Sequence, residues 1–124
     1  MGGEERFWLG PEGGVFSLYF RQGEKQIYKN WKVPPVLDIE AFKIQSQSKN
    51  CICLTKEGCL TNACGTTFYL NIKRTISLLD INEFAASLNL EFPKDIKAVA
   101  YKSDNQITNI GNESWNKETG LISV

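Results

Sequence analysis

Apolar and polar residues alternate along much of the chain with the two-residue period of β-strands. The longest such pattern covers residues 66–79, where Phe68, Leu70 and Ile72 share one side of the predicted strand with Arg74. Shorter patterns of the same period predict further strands, at residues 42–47, 51–56, 96–102 and 106–110. We therefore expect a mainly β, antiparallel fold.

Turn-forming residues divide these patterns. Residues 57–58, Glu-Gly, are predicted to end one strand before another opens at Cys59. Residues 62–65 and residues 104–105 are predicted to be turns, because Asn, Asp and Gly favour chain reversal.

Residues 80–89 are the single stretch with a helical period. Asp80 has the chemistry of an N-cap, and Glu83 follows it at the spacing of a capping box. Apolar residues then recur on one face, at Ile81, Phe84, Ala85 and Leu88. The pattern predicts one short helix that packs against the sheet.

Residues 4–20 combine two aromatic, β-branched runs with a break that is rich in Gly and Pro. This order predicts a strand, a tight turn and a second strand at 15–20, with Glu12 at the tip of the turn. A carboxylate on a rigid turn can accept a hydrogen bond from a ligand hydroxyl. The alternative is that Glu12 is a solvated turn residue and that the glycines serve backbone geometry.

Residues 33–40 contain two consecutive prolines, at 34 and 35, which cannot occupy a central strand. They predict a rigid extended connection, in which Asp38 and Glu40 are two residues apart and face the same side. Such a pair can support acid–base chemistry or hold a cation, or it can be the solvated face of the segment.

Arg74 falls on the apolar side of the longest predicted strand. A buried guanidinium requires a carboxylate or several carbonyls around it, and Glu12, Asp38 or Glu40 can supply one. Arg74 and Glu12 are therefore either groups that bind a ligand together or a pair that holds the first hairpin to the long strand.

Length and charge narrow the class of protein. The chain has 124 residues, enough for a single domain with its own core. Its 14 basic residues balance its 14 acidic ones, so it lacks the positive field that nucleic-acid binding requires. No apolar run approaches the length of a membrane-spanning helix. The sequence has no His, which excludes catalysis by imidazole within this chain.

Four cysteines follow the spacing C-x-C-x5-C-x4-C, at Cys51, Cys53, Cys59 and Cys64. This spacing differs from the C-x2-C pairs of zinc ribbons. We expect ordinary buried or half-buried thiols, with no metal and no other cofactor, although a zinc site and a disulfide remain alternatives.

Four blocks of sequence are distinctive: GGEERFWLGPEGGVFSLYF, NWKVPPVLDIEAF, LTNACGTTFYLNIKRTISLL and AYKSDNQITNIGNESWNKETGLISV. Together they resemble a bacterial family of uncharacterised proteins that look like relatives of the galactose-mutarotase-like superfamily. The resemblance implies a place within a large antiparallel β-supersandwich and a sugar-binding cleft across one concave sheet. Proteins of that family look longer at both ends, so we expect residues 1–124 to be one β-rich domain that is an internal segment of a supersandwich.

The resemblance implies carbohydrate binding or processing. Epimerases of the superfamily use a His as acid and a Glu as base, and we expect no such activity here because His is absent. Flat aromatic rings stack on sugar faces, so Trp8 and Trp31 join Glu12, Arg74, Asp38 and Glu40 as candidate ligand-binding residues. The alternative is a structural or protein-interaction β domain without a small ligand. In either case we expect self-association through an exposed sheet edge at 6–9 or 121–124.

Overall fold

The structure, a computed structural model, describes residues 7–93, 95–120 and 122. In chain order the described residues form a 3₁₀ turn (Tyr28–Asn30), α1 (Pro35–Asp38), β1 (Lys43–Gln47), β2 (Cys51–Thr61), β3 (Thr67–Leu79), α2 (Ile81–Ser87) and β4 (Ala100–Asn109). The four strands make one open antiparallel sheet in the order β1-β2-β3-β4. The prediction of a mainly β, antiparallel fold is confirmed.

The chain divides into two compact units. Unit 1 comprises Met1–Ala41, Glu57–Asn71 and Thr108–Val124, and unit 2 comprises Phe42–Lys56 and Ile72–Ile107. Strands β2, β3 and β4 each contribute residues to both units.

Unit 1 contains most of the fully buried apolar side chains. Phe68 and Leu70 on β3 are 2% and 0% exposed, as the alternating pattern predicts. The other buried apolar residues of this unit come from the first segment, α1 and β2, namely Phe7, Leu9, Leu18, Tyr19, Phe20, Val36 and Leu60. Asn62, 1% exposed, donates its amide to the carbonyl of Thr119 at 2.9 Å. This buried amide joins the turn after β2 to the last described segment.

Unit 2 is built on the β1–β2 hairpin and on α2. Strand β1 pairs with β2 in antiparallel register, with a shift between Ile44 and Ser46 that leaves Gln45 as the extra residue. The predicted helix is confirmed at Ile81–Ser87. The carboxylate of Asp80 caps it, accepting the backbone N–H groups of residues 82 and 83 at 2.9 and 3.1 Å.

The hairpin predicted for the first segment is wrong in the described residues 7–20, which contain no strand. Their backbone groups bond locally instead. Ser17 N–H donates to the carbonyl of Gly14 at 3.1 Å, and Leu18 N–H donates to the carbonyl of Pro11 at 3.0 Å. These bonds curl residues 11–18 into a loop, so the amides of Ser17 and Leu18 are not available to a ladder.

Two predicted strand breaks are also wrong. Strand β2 runs without a break through Glu57 and Gly58, and β4 runs without a break through Asp104 and Asn105. At Gly58 the glycine serves packing, since a Cβ there would lie 2.5 Å from a methyl carbon of Val36. In β4, pairing within the sheet outweighs the local turn preference of Asp and Asn.

Residues 33–40 do not form the predicted extended connection throughout. Pro34 is extended, but Pro35 starts the short helix α1 at the first position, where proline is favoured. Asp38 is the last residue of that helical turn, and Glu40 lies beyond its C-cap. The prediction that an extended backbone places the two carboxylates on one side is therefore wrong.

Strands β1 and β4 are the edges of the described sheet. Phe7 and Leu9 are buried outside any strand, so the predicted edge at 6–9 is not found in its described residues. Of the alternative edge at 121–124, only Ile122 is described. Self-association stays a prediction.

In the part of the chain that the structure describes, no helix is long and apolar enough to cross a bilayer. All four cysteines are free thiols, with Cys53 buried and Cys59 and Cys64 exposed. Within the same residues, no three Cys, Asp or Glu side chains are grouped so as to hold a metal ion.

Candidate functional site

Three aromatic rings of unit 1 lie against one another. The ring centroids of Trp8 and Tyr19 are 5.1 Å apart, those of Tyr19 and Trp31 are 5.4 Å apart, and those of the two tryptophans are 6.2 Å apart. The ring planes of Tyr19 and Trp31 differ by 4°, so these two rings are nearly parallel. Tyr19 is buried, whereas Trp8 and Trp31 are half-buried. We call the three rings the aromatic stack; its two tryptophans reach the surface.

Hydrogen bonds fix the buried ring and the chain around Trp31. The hydroxyl of Tyr19 donates to the carbonyl of Leu9 at 2.6 Å. Lys32 N–H donates to the carbonyl of Tyr19 at 2.9 Å, and Trp31 N–H closes the 3₁₀ turn on the carbonyl of Tyr28 at 3.1 Å. Aromatic pairs gain about 0.5–1.5 kcal/mol beyond the area they bury. The stack therefore holds residues 28–32 against the first segment in one arrangement.

Glu12 is exposed and bonded directly to the aromatic stack. The indole N–H of Trp8 donates to Glu12 Oε1 at 2.7 Å. The hydroxyl of Ser17 donates to the backbone carbonyl of Glu12 at 2.5 Å, and Ser17 itself is fully buried. Both the backbone and the carboxylate of Glu12 are thus held in place, so Glu12 is not a freely moving surface carboxylate.

The loop that follows Glu12 is held by one amide side chain. Gln26 Nε2 donates to the carbonyl of Gly14 at 2.6 Å, and Gln26 Oε1 accepts the N–H of Gly14 at 2.8 Å. Gly14 has a φ of 85°, a conformation that glycine adopts without steric cost. The two bonds fix the glycine turn beside the carboxylate.

A groove of about 410 Å³ lies between these elements. Its lining consists of Glu12, Phe20, Gln26, Ile27, Tyr28 and Trp31. Tyr28 is 92% exposed at its rim, and Glu12 is the one acidic residue among the six. The groove offers aromatic faces, a fixed carboxylate acceptor and little enclosure.

Residues 1–124 match DUF6786, a family of unknown function. The chain belongs to this family. No curated protein and no solved structure matches it. The family description specifies no ligand and no reaction.

The structure brings together three of the six residues that the sequence pointed to. Trp8 and Trp31 belong to the aromatic stack, and Glu12 is bonded to it. Asp38 and Glu40 belong to the same unit, are exposed, and are not among the residues that line the groove.

Arg74 belongs to unit 2. It is half-buried on β3, and its Nε donates to Oδ1 of Asn105 on β4 at 2.8 Å. Arg74 was predicted to lie on the apolar side of the strand. In the structure it is partly buried there, and Asn105 is a neutral hydrogen-bond partner of its guanidinium. Its pairing with Glu12 stays a prediction.

A larger cavity of about 570 Å³ lies elsewhere in unit 1, beside the start of β3 and the loop after β4. Trp115 packs edge-on against Phe68 there, with ring centroids 5.7 Å apart. Two of the three asparagines that line it are occupied structurally, because the amide of Asn109 bonds to Gly111 and Glu113 and that of Asn116 accepts from three groups of its own turn. This cavity therefore has less polar capacity for a ligand than its lining composition suggests.

Sequence reasoning missed the roles of Gln26 and Tyr28. The bond between Gln26 and Gly14 spans 12 residues, and nothing in the local pattern around Gln26 indicates it. Tyr28 lies in a mixed polar stretch of the sequence, and an aromatic residue among polar neighbours was the one signal that could have indicated a role in binding.

Proposed function

We propose that the groove of unit 1 binds carbohydrate, with Trp31 as the platform for a sugar face and Glu12 as an acceptor for its hydroxyls. One observation carries the proposal: a carboxylate is fixed, through Trp8, to a stack of three rings whose outer member lines an open groove. The resemblance of the sequence to the galactose-mutarotase-like superfamily supports it. In that interpretation the open sheet is one part of a β-supersandwich.

Physical chemistry favours this ligand class. The apolar face of a sugar ring packs on an aromatic ring, while its hydroxyls need acceptors that are already oriented. Hydrogen bonds to a carboxylate are about twice as strong as those between neutral groups. Because the stack already orders Trp31 and Trp8 already orders Glu12, little side-chain entropy is lost on binding.

The groove supports binding and not glycoside hydrolysis. Hydrolases of that class place two carboxyl groups on opposite sides of the scissile bond. Among the described residues of the lining Glu12 is the single carboxylate, so these residues offer a sugar an acceptor and no acid–base pair. The open shape buries little of a ligand, so we expect weak binding, in the millimolar range.

The test is an NMR titration of the uniformly ¹⁵N-labelled chain with neutral monosaccharides and disaccharides. We expect shifts at the indole N–H of Trp8 and at the amides of residues 12–14 and 26–31. Trp31→Ala should weaken binding about three- to tenfold, since it removes the platform. Glu12→Gln should weaken it about threefold or more, because a neutral acceptor replaces a charged one.

Two matched variants control this experiment. Trp115→Ala removes a tryptophan that does not line the groove, and Glu118→Gln removes an exposed carboxylate paired only at 3.9 Å with Lys117. Both should leave sugar binding unchanged. Equal losses in Trp31→Ala and Trp115→Ala, or shifts that persist in Trp31→Ala, would refute the site. The aromatic stack would then be part of a structural or protein-interaction domain.

A further inference from the structure

A third cavity of unit 1 has a different chemistry from the sugar groove. It has a volume of about 450 Å³ and lies between residues 18–22, residues 32–35 and the end of β2. Among the described residues that line it, two are basic, Arg21 and Lys32, and none is acidic. A pocket of this size accommodates a small organic molecule.

The base of this cavity is apolar and buried. Leu18, Phe20 and Leu60 are 5%, 9% and 2% exposed, and all three contribute to the lining. Residues 33–35, Val-Pro-Pro, add a further apolar wall that cannot donate hydrogen bonds at its prolines. A ligand held here would therefore pack a hydrocarbon part against the base.

The two cations at the edge are available to a ligand. Arg21 and Lys32 are both exposed, and within the described residues neither side chain has a hydrogen-bond or ion-pair partner. The backbone bond from Lys32 to the carbonyl of Tyr19 places residue 32 next to the segment that carries Arg21. Two like charges beside one apolar cavity, with no neutralising carboxylate in the lining, leave a positive potential over it.

We propose that this cavity binds an organic anion with an apolar body, a carboxylate or a phosphate monoester whose charged end lies between Arg21 and Lys32. The cavity adjoins the sugar groove, since Phe20 lines both, but the charged residues differ: Arg21 and Lys32 line the cavity, and Glu12 lines the groove. It does not depend on carbohydrate binding, and either site can be refuted without the other.

Cys59 gives a local probe of the cavity. It lies on β2, is exposed, and belongs to the lining, whereas the exposed Cys64 does not. Alkylation of each thiol, read by peptide mass spectrometry, reports the cavity and an internal reference in one sample. Iodoacetate is an anion and iodoacetamide is its neutral analogue, and each forms an S–C bond with release of iodide.

The first experiment compares the two reagents on the unliganded full chain. We expect the ratio of the iodoacetate rate to the iodoacetamide rate to be about two- to fivefold higher at Cys59 than at Cys64, because the two cations that line the same cavity as Cys59 attract the anionic reagent. Arg21→Gln and Lys32→Gln should each lower the ratio at Cys59. Lys29→Gln, which removes an exposed charge outside the lining, should not. Equal ratios at the two thiols would overturn the proposal.

The second experiment measures protection of Cys59 from iodoacetamide by hexanoate, hexyl phosphate, hexanol and inorganic phosphate. We expect protection by the two amphipathic anions alone, about threefold when the ligand is at twice its dissociation constant, with Cys64 unaffected. Hexanoate and hexyl phosphate distinguish a carboxylate site from a phosphate site. Equal protection by hexanol would show that the charge of the ligand is irrelevant. Equal protection by inorganic phosphate would show that the apolar base of the cavity is irrelevant. Either result refutes the proposal, and so does the absence of protection by all four compounds.

Discussion

Gly58 is an interior residue of β2 whose missing side chain makes room for Val36. A Cβ built at residue 58 lies 2.5 Å from Cγ2 and 3.4 Å from Cβ of Val36, and the first distance is too short for two carbon atoms. Val36 belongs to α1, is 4% exposed and is held by the turn that Pro35 starts. The substitution Gly58→Ala therefore tests whether α1 packs on β2 as the structure shows.

Two effects of opposite sign determine how much Gly58→Ala changes the free energy of unfolding. Replacing Gly by Ala where the backbone tolerates it stabilises a protein by about 0.4–1 kcal/mol, because the unfolded chain loses conformational freedom. Residue 58 is not in the left-handed region, so this gain applies to its backbone. Forcing an extra methyl into a packed site costs about 1–3 kcal/mol. We expect Gly58→Ala to lower the free energy of unfolding by about 0.5–2 kcal/mol.

The assay is urea unfolding followed by tryptophan fluorescence, with the midpoint and the m-value fitted separately. The control is the same substitution in a Val36→Ala background, where the crowding Cγ2 methyl is gone and only the Cβ of residue 36, at 3.4 Å, remains close. In that background the change at residue 58 should become stabilising, by about 0.4–1 kcal/mol. A stabilising effect in the natural background, or the same effect in both, would refute the close contact between α1 and β2.

Two further predictions concern single hydrogen-bonding groups. Tyr19→Phe should lower the free energy of unfolding by about 1–3 kcal/mol in the same urea assay, because it leaves the carbonyl of Leu9 without the donor now 2.6 Å away; an unchanged midpoint would show that water replaces the hydroxyl. Asp80→Ala should cost about 1 kcal/mol by removing the cap of α2, whereas Asp104→Ala, at an exposed carboxylate on β4, should cost much less. Equal effects of these two aspartate variants would argue against the cap.

Elements whose signals are local were predicted well. The alternation of Phe68, Leu70 and Ile72 specifies β3, since each of these side chains needs burial and a strand turns all three to one face. The Asp80 cap and the turn at 62–65 likewise depend on residues within a few positions of one another. In such cases sequence spacing and physical distance carry the same information.

Predictions failed where a distant contact decided the local structure. Gly58 has the chemistry of a strand end, but the side chain of Val36, 22 residues earlier in the chain, is what requires a glycine there. Asp104-Asn105 has the chemistry of a turn, but Asn105 lies within a paired strand and accepts from Arg74. A residue chosen for packing or pairing cannot be distinguished from a turn residue by composition alone.

In the candidate site, the sequence predicted some features correctly and missed others. Glu12 was singled out for its position between glycines, yet it is a loop with a buried serine, and not a hairpin, that fixes it. Trp8 and Trp31 were singled out as aromatic residues, but their contact through Tyr19 requires the chain to return after the 3₁₀ turn. The residue types that can bind a sugar were visible in the sequence, and their convergence was not.

The two proposed sites share Phe20 and also meet at a pair of neighbouring residues. Trp31 lines the groove that carries Glu12, and Lys32 lines the cavity that carries Arg21. The backbone bond from Lys32 N–H to the carbonyl of Tyr19 fixes the position of both Trp31 and Lys32. Tyr19 is itself fixed, because its ring is buried and its hydroxyl donates to the carbonyl of Leu9. A single fixed segment therefore presents an aromatic face to one cavity and a positive charge to the other. Their ligands can differ in charge because adjacent side chains of one extended segment point to opposite sides.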